Sequence, residues 1–279
     1  MKKQLIVNAD DYGRTPGVTR GIIKAYKEGI VTSTTVMMNM PGVEEAVALA
    51  DKGLGMGVHL VFTSWKPLLP PDEVRSLVDE RGYFLSQEAI ASNPRQIDLS
   101  ELKKELKAQI ERLKDLGREP DHLDCHHFVY MHPTFFAVYL ELAEEHRLPV
   151  RLPFPPKKEI RRVLTSFSII SGLPLSLLHD MVDRDIELAR TKRVAHPDYF
   201  IASFYGETAS LESLLRIIEG LQEGVTEMLT HPGFADEELL AQSTYALPRE
   251  VELELLCDPR VKERIKELGI ELVDFSVLR

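Results

Sequence analysis

Leu5-Ile6-Val7-Asn8-Ala9-Asp10-Asp11-Tyr12-Gly13 is a short apolar run that ends in two adjacent carboxylates. Leu5, Ile6 and Val7 read as a parallel strand covered on both faces, because an unbroken Leu and β-branched run bounded by polar residues suits a strand with no wet side. In α/β proteins ligands bind beyond the carboxyl ends of such strands. Asp10 and Asp11 therefore stand where a site would be. The competing reading makes Asp11 a helix cap and Asp10 a solvated acid, and the rest of the chain decides between them.

Working outward, Thr15-Pro16-Gly17 opens a helix running to about residue 28, with Val18, Ile22, Ile23 and Tyr26 at helical spacing and Gly29 placed to end it. A strand over 33–38, a helix over 43–52 and a strand over 56–62 complete three strand-then-helix units, which implies parallel strands. Between 63 and 98 the pattern blurs into a proline-rich loop with a small hairpin near Gly82-Tyr83-Phe84; a loop of this length on a barrel is a lid or binding element. Leu102, Leu106, Ile110, Leu113 and Leu116 then mark a helix over 99–117. A strand over 120–126, a helix over 133–146 and a short strand over 149–152 follow, and 153–198 reads as a helical and loop excursion. Strands over 199–204, 225–230 and 271–275 alternate with helices over 209–222, 248–256 and 259–268. Seven or eight strands alternating with helices favour an α/β, TIM-barrel-like (β/α) barrel, distorted or seven-stranded, forming one domain over 1–279. No G-x-G-x-x-G follows the first strand, which argues against a dinucleotide fold.

Composition narrows the partners. With 279 residues and 44% hydrophobic content the chain can bury a large core. Its 34 basic against 44 acidic residues give a net charge of -10, which argues against nucleic acid and anionic membrane as partners. Cys125 and Cys257 are far apart and show no CxxC spacing, so neither a disulfide framework nor a thiolate zinc site is expected. No apolar run is long enough for a signal peptide or a membrane span. A soluble, unprocessed, cytoplasmic protein is the expectation. The apolar stretch over 167–178 is a candidate homodimer interface.

Polar residues sit at the carboxyl ends of four of the strands. Besides Asp10 and Asp11 there are His59 in Gly57-Val58-His59-Leu60, the group Asp124-Cys125-His126-His127, and His231 in His231-Pro232-Gly233. Each has a structural alternative: a satisfied core histidine for His59, a residue of a Pro-Gly turn for His231. Strand parity puts Leu123 and Cys125 toward the helices and Asp124 and His126 inward. His126 is thus the better ligand candidate, and His127 a supporting or structural one. Carboxylate and imidazole groups gathered from several strands make a divalent-metal site with open positions for water and substrate. A remaining carboxylate can then serve as general base.

These four motifs, in this order, resemble the YdjC-like carbohydrate deacetylases, which include the chitooligosaccharide (diacetylchitobiose) deacetylases; Ile30-Val31-Thr32-Ser33-Thr34-Thr35 is similar to the family as well. The resemblance runs from the first strand to the last. It implies a TIM-barrel-like fold and metal-dependent hydrolysis of an N-acetyl group on an amino sugar or short oligosaccharide. It makes Asp11, His59 and His126 the metal ligands, Asp10 the general base and His231 the general acid. Tyr12 replaces the family's Phe, Cys125 replaces a Ser, and Phe128 and Tyr130 stand where the chitooligosaccharide branch has further histidines. Those two aromatics would offer a more apolar, stacking surface for substrate. Trp65, Arg151 and Phe154 are further candidate sugar contacts. For Trp65 the alternative is packing, and for Arg151 it is an ion pair with Asp124 or Asp10. Two imidazoles and one carboxylate suit Zn2+ on ligand preference, whereas the resemblance points to Mg2+. The competing functions are another metal-dependent barrel hydrolase, acting on an ester or cyclic amide, and a non-catalytic sugar-binding protein.

Overall fold

The first strand is longer than its apolar core suggests. In the computed structural model, which describes residues 2–153 and 175–279, β1 spans Lys3–Tyr12 and is buried from Leu5 onward. Leu5, Val7 and Ala9 join the large apolar cluster beneath the helices, while Asn8 and Asp10 alternate onto the opposite face. The strand continues through Asp10 and Asp11 to Tyr12, and its pairing with β2 (Ser33–Val36) is irregular between Ala9 and Tyr12.

Among the described residues, seven parallel strands form one sheet. Its order is β4 (Leu123–Cys125), β3 (Gly55–Leu60), β2, β1, β6 (Gly224–Thr230), β5 (Tyr199–Ile201), with β7 (Glu271–Leu272) paired to β1. The expected strand over 149–152 reduces to a single parallel bridge between Val150 and Leu123. That bridge matters, because the Val150 N–H also bonds the Ala195 carbonyl at 2.9 Å, four residues before β5. The sheet therefore curls round, and its two outer strands approach each other through this one segment. This is the expected barrel-like architecture in a distorted, seven-stranded form.

The helices follow their sequence signals. α1 (Pro16–Glu28) is capped by Thr15, whose side chain accepts the Val18 N–H. α2 (Val43–Leu49) stops short of the expected residue 52. The loop after β3 contains α3 (Gln87–Ser92) and an antiparallel bridge between Val78 and Phe84, the small hairpin expected there. α4 (Leu99–Asp115) buries Leu102, Leu106, Ile110 and Leu113, and α5 (Pro133–His146) has the expected limits. α6 (Leu175–Lys192) occupies the end of the excursion. Beyond it come α7 (Leu211–Glu219), the short α8 (Glu237–Gln242), absent from the sequence reading, α9 (Leu247–Leu256) and α10 (Pro259–Glu267). Among the described residues no helix is long and apolar enough to cross a membrane. Most of the expected apolar interface over 167–178 lies outside the described residues.

Candidate metal centre

Strand pairing assembles the site. β3 and β4 align His59 with Asp124, so both side chains project from the same face, and the His126 N–H extends the ladder to the Leu60 carbonyl at 2.9 Å. Asp10 and Asp11 are consecutive and would point to opposite faces of a regular strand. Asp11 instead adopts φ +72°, a left-handed conformation costly for a residue with a side chain. This kink gathers both carboxylates at one place.

Asp11 Oδ1, His59 Nε2 and His126 Nδ1 form a small triangle: Asp11 lies 3.3 Å from His59 and 3.1 Å from His126, and the two imidazole nitrogens are 3.3 Å apart. Donors bound to one ion at about 2.1 Å have edges of about 3.0–3.4 Å, so the triangle fits a single divalent cation. Asp11 Oδ1 is buried with no hydrogen-bond donor, an acceptor left open toward the shared centre. His59 Nδ1 donates to Asp124 Oδ1 at 2.7 Å, which turns Nε2 to the centre. Thr35 Oγ1 donates to the other Asp124 oxygen at 2.9 Å.

The charges around this triangle favour a cation. Burial opposes protonation of His59, but the Asp124 charge, its hydrogen bond to Asp124 and the close Asp11 carboxylate overcome it and raise its pKa to about 10. Burial holds His126 below the ordinary imidazole range despite Asp11, leaving a lone pair free. Burial works against the Asp11 carboxylate, yet Arg249 and His126 keep it well below the usual carboxylate range. Arg249 Nη2 donates to Asp11 Oδ2, and Arg14 Nη1 lies 3.3 Å from the same oxygen.

Asp10 is held beside the triangle by a bidentate pair with Arg151, both contacts 2.7 Å, and receives the Asn8 side-chain amide at 2.8 Å. Arg151 also reaches Asp124 at 2.8 Å and Glu227 at 2.6 Å. Only 2% exposed and shared among three carboxylates, it has no free face for a sugar; the ion-pair alternative describes it. Tyr130 is 1% exposed, edge-to-face on Tyr139, so it packs in the core and offers no stacking surface to substrate. Trp65 packs edge-to-face on Tyr83 and against the core. Phe128 is half-buried, and Phe154 lies outside the described residues. His127 bonds Thr63 Oγ1 at 2.9 Å, and burial beside His126 lowers its pKa to about 2; it supports the site and is not part of the triangle.

His231 follows β6. Its backbone N–H donates to Glu252 Oε2 at 2.6 Å, and its Nδ1 is buried without a partner. Burial and the Arg249 charge hold the imidazole well below its ordinary range. Arg249 and Glu252 were not singled out in the sequence, although a signal exists there. Arg249, Glu252, Leu253 and Leu256 form the buried stripe of α9, and two charges within an apolar stripe need buried partners.

A curled parallel βα sheet with a buried Asp-His-His triangle at its carboxyl end defines a barrel-like α/β protein whose triangle has the donor set and spacing that could hold a metal ion. The chain belongs to the YdjC-like protein family, whose pattern it matches over residues 4–267. It is 36% identical to a carbohydrate deacetylase of Thermoanaerobacter pseudethanolicus, over 99% of this chain and 100% of that protein. It is 34% identical to a chitooligosaccharide deacetylase of Yersinia pestis, over 99% of each. Among solved structures, a proposed cellobiose-phosphate cleavage protein from Enterococcus faecalis aligns with TM-score 0.86 and 36% identity, covering 100% of this chain and 99% of that one.

Proposed function

We propose that this chain is a metal-dependent carbohydrate deacetylase that hydrolyses the N-acetyl group of an amino sugar or short oligosaccharide. The observation that carries the reading is the Asp11, His59 and His126 triangle with Asp10 fixed beside it, in a chain whose relatives bear deacetylase names. Asp11, His59 and His126 would hold one divalent ion, which supplies Lewis acidity toward water and an amide carbonyl. The ligand types suit Zn2+, and the family resemblance favours Mg2+. Free Cys125 and Cys257 fit a reducing cytoplasmic setting.

Asp10 takes the proton from the attacking water. Its bidentate pair with Arg151 fixes the carboxylate, and while burial raises its basicity, the Arg151 charge opposes that and favours the ionised form. His231 delivers a proton to the departing sugar amine. Because burial and Arg249 keep it neutral at rest, the proton it passes to the amine is the one that Asp10 has taken from the attacking water. Asp124 and Thr35 hold His59 in its ligating tautomer.

The test is acetate release from a panel of N-acetylated mono- and disaccharides, alongside acetate esters and cyclic amides. Release from the N-acetylated sugars, with kcat lowered by about 10²–10⁴ in Asp10→Asn, is the expected outcome. Turnover of only the esters or cyclic amides would move the activity to another barrel hydrolase.

A further inference from the structure

Two tyrosines from separate loops meet beside His231. Tyr205, just past β5, stacks on Tyr245, which precedes α9, with ring centroids 4.2 Å apart and planes 4° apart. Both rings present to His231, at 5.4 Å and 73° for Tyr205 and at 5.7 Å and 70° for Tyr245.

The pair is built to be rigid. The Tyr245 hydroxyl donates to Glu252, the same carboxylate that anchors the His231 backbone, and accepts the Gly206 N–H at 2.7 Å. Gly206 has φ +55°, the left-handed conformation that glycine adopts without penalty, and this bend turns its N–H toward Tyr245. Thr208 ties the turn down through hydrogen bonds to Ser203 and Tyr205 carbonyls at 2.6 Å.

Despite this bracing, Tyr205 remains 46% exposed. One face lies on Tyr245 and one side meets His231, so the open area is the opposite face and the outer rim. A fixed aromatic face left open beside a proton-transferring histidine is a surface for another flat, partly apolar group. The C–H face of a pyranose ring is such a group. We infer that Tyr205, backed by Tyr245, is the stacking platform for the sugar ring that carries the scissile acetamido group. This deepens the deacetylase reading and rests on it. The platform takes the role that Phe128 and Tyr130 were expected to fill.

The test measures acetate release by wild type, Tyr205→Ala, Tyr205→Phe and Tyr205→Trp on an N-acetylglucosamine disaccharide. Calorimetric binding of the same disaccharide to metal-loaded Asp10→Asn, with and without Tyr205→Ala, accompanies it. Stacking acts equally on substrate and transition state. Tyr205→Ala is therefore expected to raise KM by about fivefold to tenfold with kcat within about twofold, and Phe and Trp to keep KM within about twofold. Binding to Asp10→Asn should weaken by the same factor. Acetate release with an unchanged KM in Tyr205→Ala overturns the platform and leaves the deacetylase reading intact, and so does a loss confined to kcat, the mark of a prop for His231. If wild type releases no acetate, the deacetylase reading fails and binding decides. Tyr205-dependent binding of the disaccharide keeps the platform, and its absence discards it.

Discussion

Arg151 is the residue on which the polar interior turns. It is fully buried and pairs with Asp10, Asp124 and Glu227, which places one cation among three carboxylates. Burial raises the Glu227 pKa to about 7 even against the attraction of Arg151, so removing the cation leaves Asp10 and Glu227 without their paired charge in a low-dielectric interior. Arg151→Met should lower unfolding free energy by about 3–5 kcal/mol, read by denaturant melts, and Arg151→Lys should recover little because it loses the bidentate geometry. Asp11, His59 and His126, which the sequence puts at strand ends, lie within 3.3 Å of one another through their ligand atoms. Asp10, Asp11, His59, His126 and His231 all end strands, and strand order plus parity brings such residues together. Asp11 reaches its place by a left-handed kink that parity does not reveal. Tyr130 reads as a surface aromatic in the sequence, but Tyr139 and Phe136 pack on it from the following helix and bury it. Tyr205 has no signal in the sequence, because its partner Tyr245 lies forty residues away and one exposed aromatic in a loop carries none by itself.

At the scale of elements, α1 and the turn after β6 touch through a glycine. A Cβ on Gly21 would fall 2.5 Å from Gly233 Cα, and Phe234 N–H bonds the Gly17 carbonyl at 3.1 Å. In an ordinary helix interior Ala is the better helix former, but here its methyl group would drive the His231-Pro232-Gly233 turn away. Gly21→Ala should therefore destabilise by about 1–3 kcal/mol and lower kcat together, checked by thermal melts and acetate release. A Tm at or above wild type would show that the contact yields. Strong periodicity marks elements reliably: the leucine spacing of α4 and the proline-led starts of α1, α5 and α10 agree with the structure within a few residues. The expected strands over 120–126 and 149–152 came out short, because pairing there is limited to Leu123–Cys125 and a single bridge at Val150. β-rich composition signals extension but not whether a neighbouring strand is present to pair.

At the scale of the whole molecule, stability and metal are the measurable quantities. Asp185 on α6 is 0% exposed, and neither carboxylate oxygen has a hydrogen-bond partner among the described residues. Burial raises its pKa from 3.8 to about 8, so the folded chain holds a proton that the unfolded chain releases. Unfolding thus loses free energy as pH rises from about 4 to about 8 and levels off above that. Asp185→Asn should flatten the fall of Tm across this window, and an unchanged pH slope would mean that the carboxyl ionises normally in the folded state. On the deacetylase reading proposed above, Asp11, His59 and His126 hold one catalytic ion. The most direct test is acetate release from an N-acetylated sugar by chelator-stripped protein as a divalent metal is titrated back, with metal content measured in parallel on wild type and His126→Ala. Activity should be absent in the stripped protein and return in proportion to occupancy, reaching its maximum at one ion per chain, while His126→Ala binds poorly and stays inactive. Undiminished release by protein shown to be metal-free would contradict the account.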